Sequence, residues 1–160
     1  MAWTNADGLK VLLHGEQGEV QDKGTALGSA RQTLVVDVNL SALGSTFGAG
    51  NIDAYDAVIP AGSVILSATL VMTTAATSGG SATLTIGTYN AAGAAIDADG
   101  IDAAVALAAI DAVGDTVRCD GAHLTTAGYV AADAYIGMIY GTAAFTAGAG
   151  QLVIEYVKVA

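Results

Sequence analysis

The stretch 58–74, VIPAGSVILSATLVMTT, decides the fold class. From Ser63 onward its residues sort by every second position. Val64, Leu66, Ala68, Leu70 and Met72 fall on one face, with Ser67, Thr69 and Thr73 on the other. A period of two marks a half-buried β-strand, whose successive side chains point to opposite sides of a sheet. Pro60 fixes the entry to that strand.

The same rhythm continues on both sides. SATLTIGT, 81–88, sets Leu84 and Ile86 against Thr83 and Thr85, and the glycine- and serine-rich TAATSGGS leads into it. QTLVVDVNL, 32–40, puts Leu34, Val36, Val38 and Leu40 on one face and Asp37 and Asn39 on the other. Near the end, AYIGMIYGTAAF and QLVIEYVKV flank TAGAG. In the second run Leu152, Ile154 and Tyr156 oppose Val153, Glu155 and Val157. These two runs predict a hairpin that closes the chain.

The middle reads differently. DGIDAAVALAAIDAVGD, 99–115, is alanine-rich, with Asp99 placed as an N-cap and Gly114 just past the end. Ile101, Val105 and Ala108 share a helical stripe, which predicts a short helix over about 101–112, with a buried strand plus loops as the alternative. Nothing alternates strand with helix and no fixed repeat is visible. The expected fold is therefore all-β, an antiparallel β-sandwich or jelly-roll-like body over 31–160 with one short helix. Residues 1–30 form an extended N-terminal arm ahead of it.

Composition narrows the partners. Alanine and glycine supply 34 and 21 of the 160 residues, so the core is thin for its length. An alanine buries far less apolar surface than a leucine, at about 0.8 kcal/mol per CH₂. A thin core favours support from a partner subunit. Fifteen carboxylates against five Lys and Arg give a net charge of −10, which argues against nucleic acid and against an anionic membrane surface. The charge is uneven: the first 31 residues hold Lys10, Lys23 and Arg31 against four acids, and the remainder holds only Arg118 and Lys158 against eleven. No run of about 20 apolar residues exists to span a bilayer, and the first residues lack the basic start of a secretion signal. One cysteine, Cys119, leaves no internal disulfide.

Candidate chemistry is sparse. DADGID, with Asp97, Asp99 and Asp102, resembles part of a calcium loop, but glycine stands fourth instead of sixth and Ala108 occupies the place of the closing glutamate. A solvated turn capping the helix is the expectation. Asp53 and Asp56 raise the paired-carboxylate question, although fifteen acids make some such pair inevitable. Cys119 and His123 are spaced C-x₃-H, and only His14 remains to join them, short of a zinc set. There is no G-x-S-x-G, and GSTFGAGN lacks the lysine of a phosphate loop. Neither a catalytic residue, a metal nor a cofactor is expected.

The opening MAWTNADGLKVLLHGEQGEVQDKG remains. Leu9, Val11 and Leu13 alternate with Lys10 and Leu12, enough for one short strand, and glycines 15, 18, 24 and 28 break any continuation. A plain tail is the simplest reading of a terminus. Yet Trp3, Leu9, Val11, Leu12 and Leu13 are more apolar than a solvated tail needs. They read as anchors of an extended segment that adds a strand to another chain's sheet.

With MAWTNADGLKVLLHGEQGE, VIPAGSVILSATLVMTT and GAGQLVIEYVKVA, the alanine-, glycine- and threonine-rich acidic β chain resembles the capsid decoration (cement) proteins of tailed bacteriophages. The resemblance implies a non-enzymatic virion protein, made in the host cytoplasm and bound to the outer capsid surface as a homotrimer. It implies the major capsid protein as partner and an N-terminal arm that helps to dock. Two rival readings stand beside it. Another virion part or a carbohydrate-binding sandwich would show clustered exposed aromatics, whereas Tyr135 and Tyr156 fall at strand positions expected to alternate into the core. A hydrolase using acidic residues would need a cleft with a perturbed carboxylate.

Overall fold

The computed structural model of the protein describes residues 31–51 and 57–159, and ahead of them the backbone of two short strands, β1 (Ala2–Thr4) and β2 (Lys10–Leu12). These pair antiparallel, with Trp3 opposite Val11 and Ala2 opposite Leu12. Nine further strands follow: β3 (Gln32–Asn39), β4 (Val58–Ile59), β5 (Ser63–Ser78), β6 (Thr83–Tyr89), β7 (Ala95–Ala106), β8 (Thr116–Arg118), β9 (Tyr129–Val130), β10 (Ala134–Gly141) and β11 (Phe145–Lys158). A helix of one turn, α1 (Ala122–Thr125), lies between β8 and β9.

The nine strands form two sheets. One runs β3-β11-β5-β8, with β9 also paired to β5, and the other runs β4-β10-β6-β7. Every pair is antiparallel, and the pairs nest: β3 with β11, β4 with β10, β5 with β8 and β9, β6 with β7. First meets last, second meets next to last, and so inward. Such nesting arises when one long hairpin is rolled on itself, the wiring of a jelly roll. The expected all-β sandwich is therefore what the chain forms.

Between the sheets lies a core of Leu40, Ile59, Leu70, Leu84, Ile86, Ile101, Ile110, Leu152 and Ile154, all fully buried. Each contributes about 1.5–3 kcal/mol by leaving water. Ala68, Ala76, Ala82 and Ala134 fill other core positions, so the thin core expected from composition is real. The alternations of β3, β6 and β11 point as the sequence indicates, with Val38, Leu84, Ile86, Leu152 and Ile154 inward.

Four expectations fail, each for a tertiary reason. β10 and β11 do not form a hairpin: β10 joins the four-stranded sheet and β11 the five-stranded one, and TAGAG lies inside β11. Thr142, at φ 66°, turns the chain from one sheet to the other. There is no helix over 101–112. Half of that stretch completes the twelve-residue β7, followed by one 3-10 turn at Leu107–Ala109, because pairing with β6 buries Ile101 and Val105 and overrides alanine's helical preference. Asp99 therefore caps nothing. β7 accommodates the misfit by bulging, and Ala104 takes a left-handed φ of 58° where an extra residue opposes β6.

The phase of β5 also breaks. A register shift opposite Glu155 and Tyr156 flips its first residues, so Ile65 is buried while Leu66 is 42% exposed. Beyond the bulge Ala68, Leu70 and Met72 face inward as expected. Finally, Tyr135 pairs with Tyr89 while its neighbours Ala134 and Ile136 enter the core, so Tyr135 lies on the outer side. Tyr156 does pack against the core.

Candidate functional site: a closed polar nest and an open sheet face

Two places hold the residues that could carry function. The first is a nest where α1 meets β6 and β7. His123 is buried, and its Nδ1 lies 2.9 Å from the Ala127 carbonyl oxygen, which can only accept. Nδ1 therefore carries a proton. Nε2 lies 2.9 Å from the Thr88 hydroxyl oxygen. Gly100 makes the room: a Cβ there would stand 2.5 Å from the His123 ring and 2.8 Å from the Asp97 carboxyl carbon.

Beside it, Asp102 points inward opposite Ile86. Burial, then the negative charge of Asp120, raises its carboxyl above the ordinary range. The Cys119 thiol donates to it, as do the backbone N–H groups of Asp120 and Ala103. Burial first, and Asp102 next, push the Cys119 thiol up to about 12. At neutral pH it is a protonated donor, not a nucleophile.

The nest settles several sequence expectations. DADGID is strand, not a calcium loop or a capping turn. Both ring nitrogens of His123 are hydrogen-bonded within the chain, and the Cys119 thiol faces Asp102. Among the described residues no three His, Cys, Asp or Glu side chains gather as a metal site. Asp53, Asp56 and His14 lie outside the described residues. Nothing in the sequence pointed to Asp102 as a buried carboxyl, because its place depends on the bulged pairing of β7.

The second place is the outer face of the five-stranded sheet. Register places Val35, Val153, Thr69 and Arg118 in one row, and Asp37, Gln151, Val71 and Thr116 in the next. Glu155 and Ser67 stand on the other side, followed by Val157, Val64 and Tyr129. Val35 is 52% exposed and Tyr129 54%. The carboxylates are engaged within the face: Gln151 donates to Asp37 at 3.0 Å, and Arg31 and Ser67 donate to Glu155 at 3.2 and 2.9 Å. The face thus alternates valine and threonine with charged groups that are paired within it. Of the expected arm anchors, Trp3, Val11 and Leu12 lie on the β1–β2 pair, and Leu9 and Leu13 fall outside the described residues.

Among the described residues no helix is long and apolar enough to cross a membrane. No family model matches the chain, and no curated protein does. Solved structures do share its fold. A chain from the capsid of Ralstonia phage GP4 is 18% identical, with a TM-score of 0.54 over 89% of this chain and 93% of that one. A chain from the cyanophage Pam1 capsid is 17% identical, with a TM-score of 0.57 over 91% and 96%. One from the acid-stable capsid of Helicobacter pylori bacteriophage KHP30 is 11% identical, with a TM-score of 0.57 over 83% and 91%. The jelly roll of this chain is thus one found in the capsids of bacteriophages.

Proposed function

We propose that this chain is a virion structural protein, a decoration or cement protein that binds and stabilises an assembled phage head from outside. The observation that supports it is the coverage of the shared fold. The sandwich matches nearly the whole of chains from three phage capsids, and those chains are about the size of this one. A small, self-contained jelly roll suits an accessory to a shell better than the shell itself. The closed packing around Asp102, Cys119 and His123 agrees with a contact role.

In this reading the major capsid protein is the partner, the protein assembles as a homotrimer, and residues 1–30 act as an arm on the body 31–160. The body carries most of the negative charge, so docking on another acidic shell costs electrostatic work beyond what salt screens over about 8–10 Å. The near-neutral arm escapes that cost and holds Trp3, Leu9, Val11, Leu12 and Leu13. A few such anchors dominate many interfaces.

The test is a pull-down on assembled shells with matched circular dichroism. Deleting residues 1–30 should leave the sandwich folded and reduce shell binding at least tenfold. Trp3→Ala or Leu13→Ala should reproduce part of that loss. Equal binding by the truncated protein would move the docking surface to the loops of the sandwich.

A further inference from the structure

We infer that the outer face of the five-stranded sheet is the surface through which the chain binds a second copy of itself, and that it meets the acidic flank of its neighbour around β7. The inference rests on the self-association included in the proposed function and names its surface.

Charge is the first argument. The described residues include three cations, and all three belong to this face or its rim. Arg31 directly precedes β3, Arg118 ends β8, and Lys158 ends β11. Against them the face holds only Asp37 and Glu155, each already bonded within it. Asp97 and Asp99 lie on β7, in the other sheet, and Asp115 and Asp120 flank β8 at the edge of this one. The three described cations of this polyanion thus gather on one sheet, where an acidic surface meets least repulsion, since like charges repel.

Apolar exposure is the second. Of the six large hydrophobic residues exposed among the described ones, Val35, Leu66, Tyr129 and Val159 lie on this face or at its end. Val153, Val71, Val64 and Val157 fill the rows between them. The β5 bulge deepens the patch, since it turns Leu66 outward. Thr69, Glu155 and Ser67 stand among these valines, so the face mixes apolar and polar groups, as non-obligate interfaces do.

The partner follows from the complement. Around β7 the same chain presents Asp99 exposed, Asp97 half-buried and Ile96 46% exposed. That flank offers carboxylates to Arg118 and an aliphatic side chain to the valine rows. The contact joins two different surfaces, and with a rotation of a third of a turn per copy it closes into the ring of a cyclic trimer.

The test uses the full-length protein in sedimentation velocity across a concentration series at low and high salt. Wild type should assemble, and its dissociation constant should rise at least tenfold at high salt. Arg118→Glu and Asp99→Arg, both at exposed positions, should each weaken assembly tenfold or more with unchanged circular dichroism. The double variant should recover most of the loss, because the charges are then exchanged across one contact. Val35→Glu should weaken assembly, and Val113→Glu, on an exposed loop off the face, should not. A wild type that stays monomeric overturns the inference, as do single variants that assemble normally. Loss with Arg118→Glu but not Asp99→Arg overturns the β7 flank as the complement. A parallel shell pull-down separates the readings: assembly without shell binding defeats the decoration role alone, and shell binding by a monomer defeats this surface alone.

Discussion

The two sheets of the sandwich treat their outer faces in opposite ways. On the four-stranded sheet, Tyr89 and Gly137 are buried although they point away from the core. Phe47, from the loop between β3 and β4, lies on them, its ring 4.3 Å from that of Tyr89 and tilted by 36°. Gly87 is covered in turn by the backbone of β7 at Asp97 and Ala98. On the five-stranded sheet the equivalent positions are valine, threonine and charge, and they stand open. Glycine on a strand marks a place where something lies on top. Valine and threonine mark a face whose own side chains meet the solvent.

That contrast is breakable. The largest effect is expected at Gly137, where a Cβ would stand 2.5 Å from the Tyr89 ring and 2.9 Å from Phe47. Gly137→Val should cost about 3 kcal/mol by overpacking, read from the midpoint of urea unfolding. Unchanged stability would mean that Phe47 does not cover this face. Phe47→Ala should cost less, about 2 kcal/mol, since the ring is only half-buried. The double variant should cost less than the sum of the two, because loss of the Phe47 ring relieves one clash at position 137 and leaves the one with Tyr89.

A smaller change distinguishes the β7 side by its pH dependence. The Asp102 carboxyl is raised in the folded state, so the folded chain binds a proton there more tightly than the unfolded chain does. Its contribution to stability is full below the ordinary carboxylate range and is lost as pH rises through the folded value. Asp102→Asn removes that loss. The stability of wild type relative to the variant should therefore be greatest in acid and decline toward neutrality, in unfolding curves recorded from pH 3 to 7. A constant gap would show that Asp102 is solvated. Smallest of all, Val35→Thr on the open face should shift stability by no more than about 0.5 kcal/mol. A larger loss would mean that the face is already covered within the chain.

Much of this was legible along the chain. QTLVVDVNL, SATLTIGT and QLVIEYVKV declare themselves strands, and their inward residues are the ones the alternation marks. Composition announced the alanines of the core. The nest around His123 was not legible. Asp102 and Cys119 meet only because β7 bulges against β6 and the chain after β8 returns over Gly100, and no spacing encodes a return. The open face was half legible: alternation identified Thr69, Val153 and Glu155 as facing away from the core, but not that Phe47 and β7 cover the other sheet and leave this one bare.

The sequence by itself determined that the chain is β, which residues of most strands face inward, and that the molecule is acidic. These follow from a period of two and a count of charges, both local quantities. Tertiary structure alone decided which strands are neighbours, that β10 and β11 part into different sheets, that alanine-rich 101–106 is strand instead of helix, and where β5 changes phase. Those outcomes depend on hydrogen bonds and side-chain contacts between residues distant in sequence. A ladder completed by β6 outweighs the few tenths of a kcal/mol per residue by which alanine prefers a helix, and the position of a bulge is set by the strand opposite it, not by its own residues.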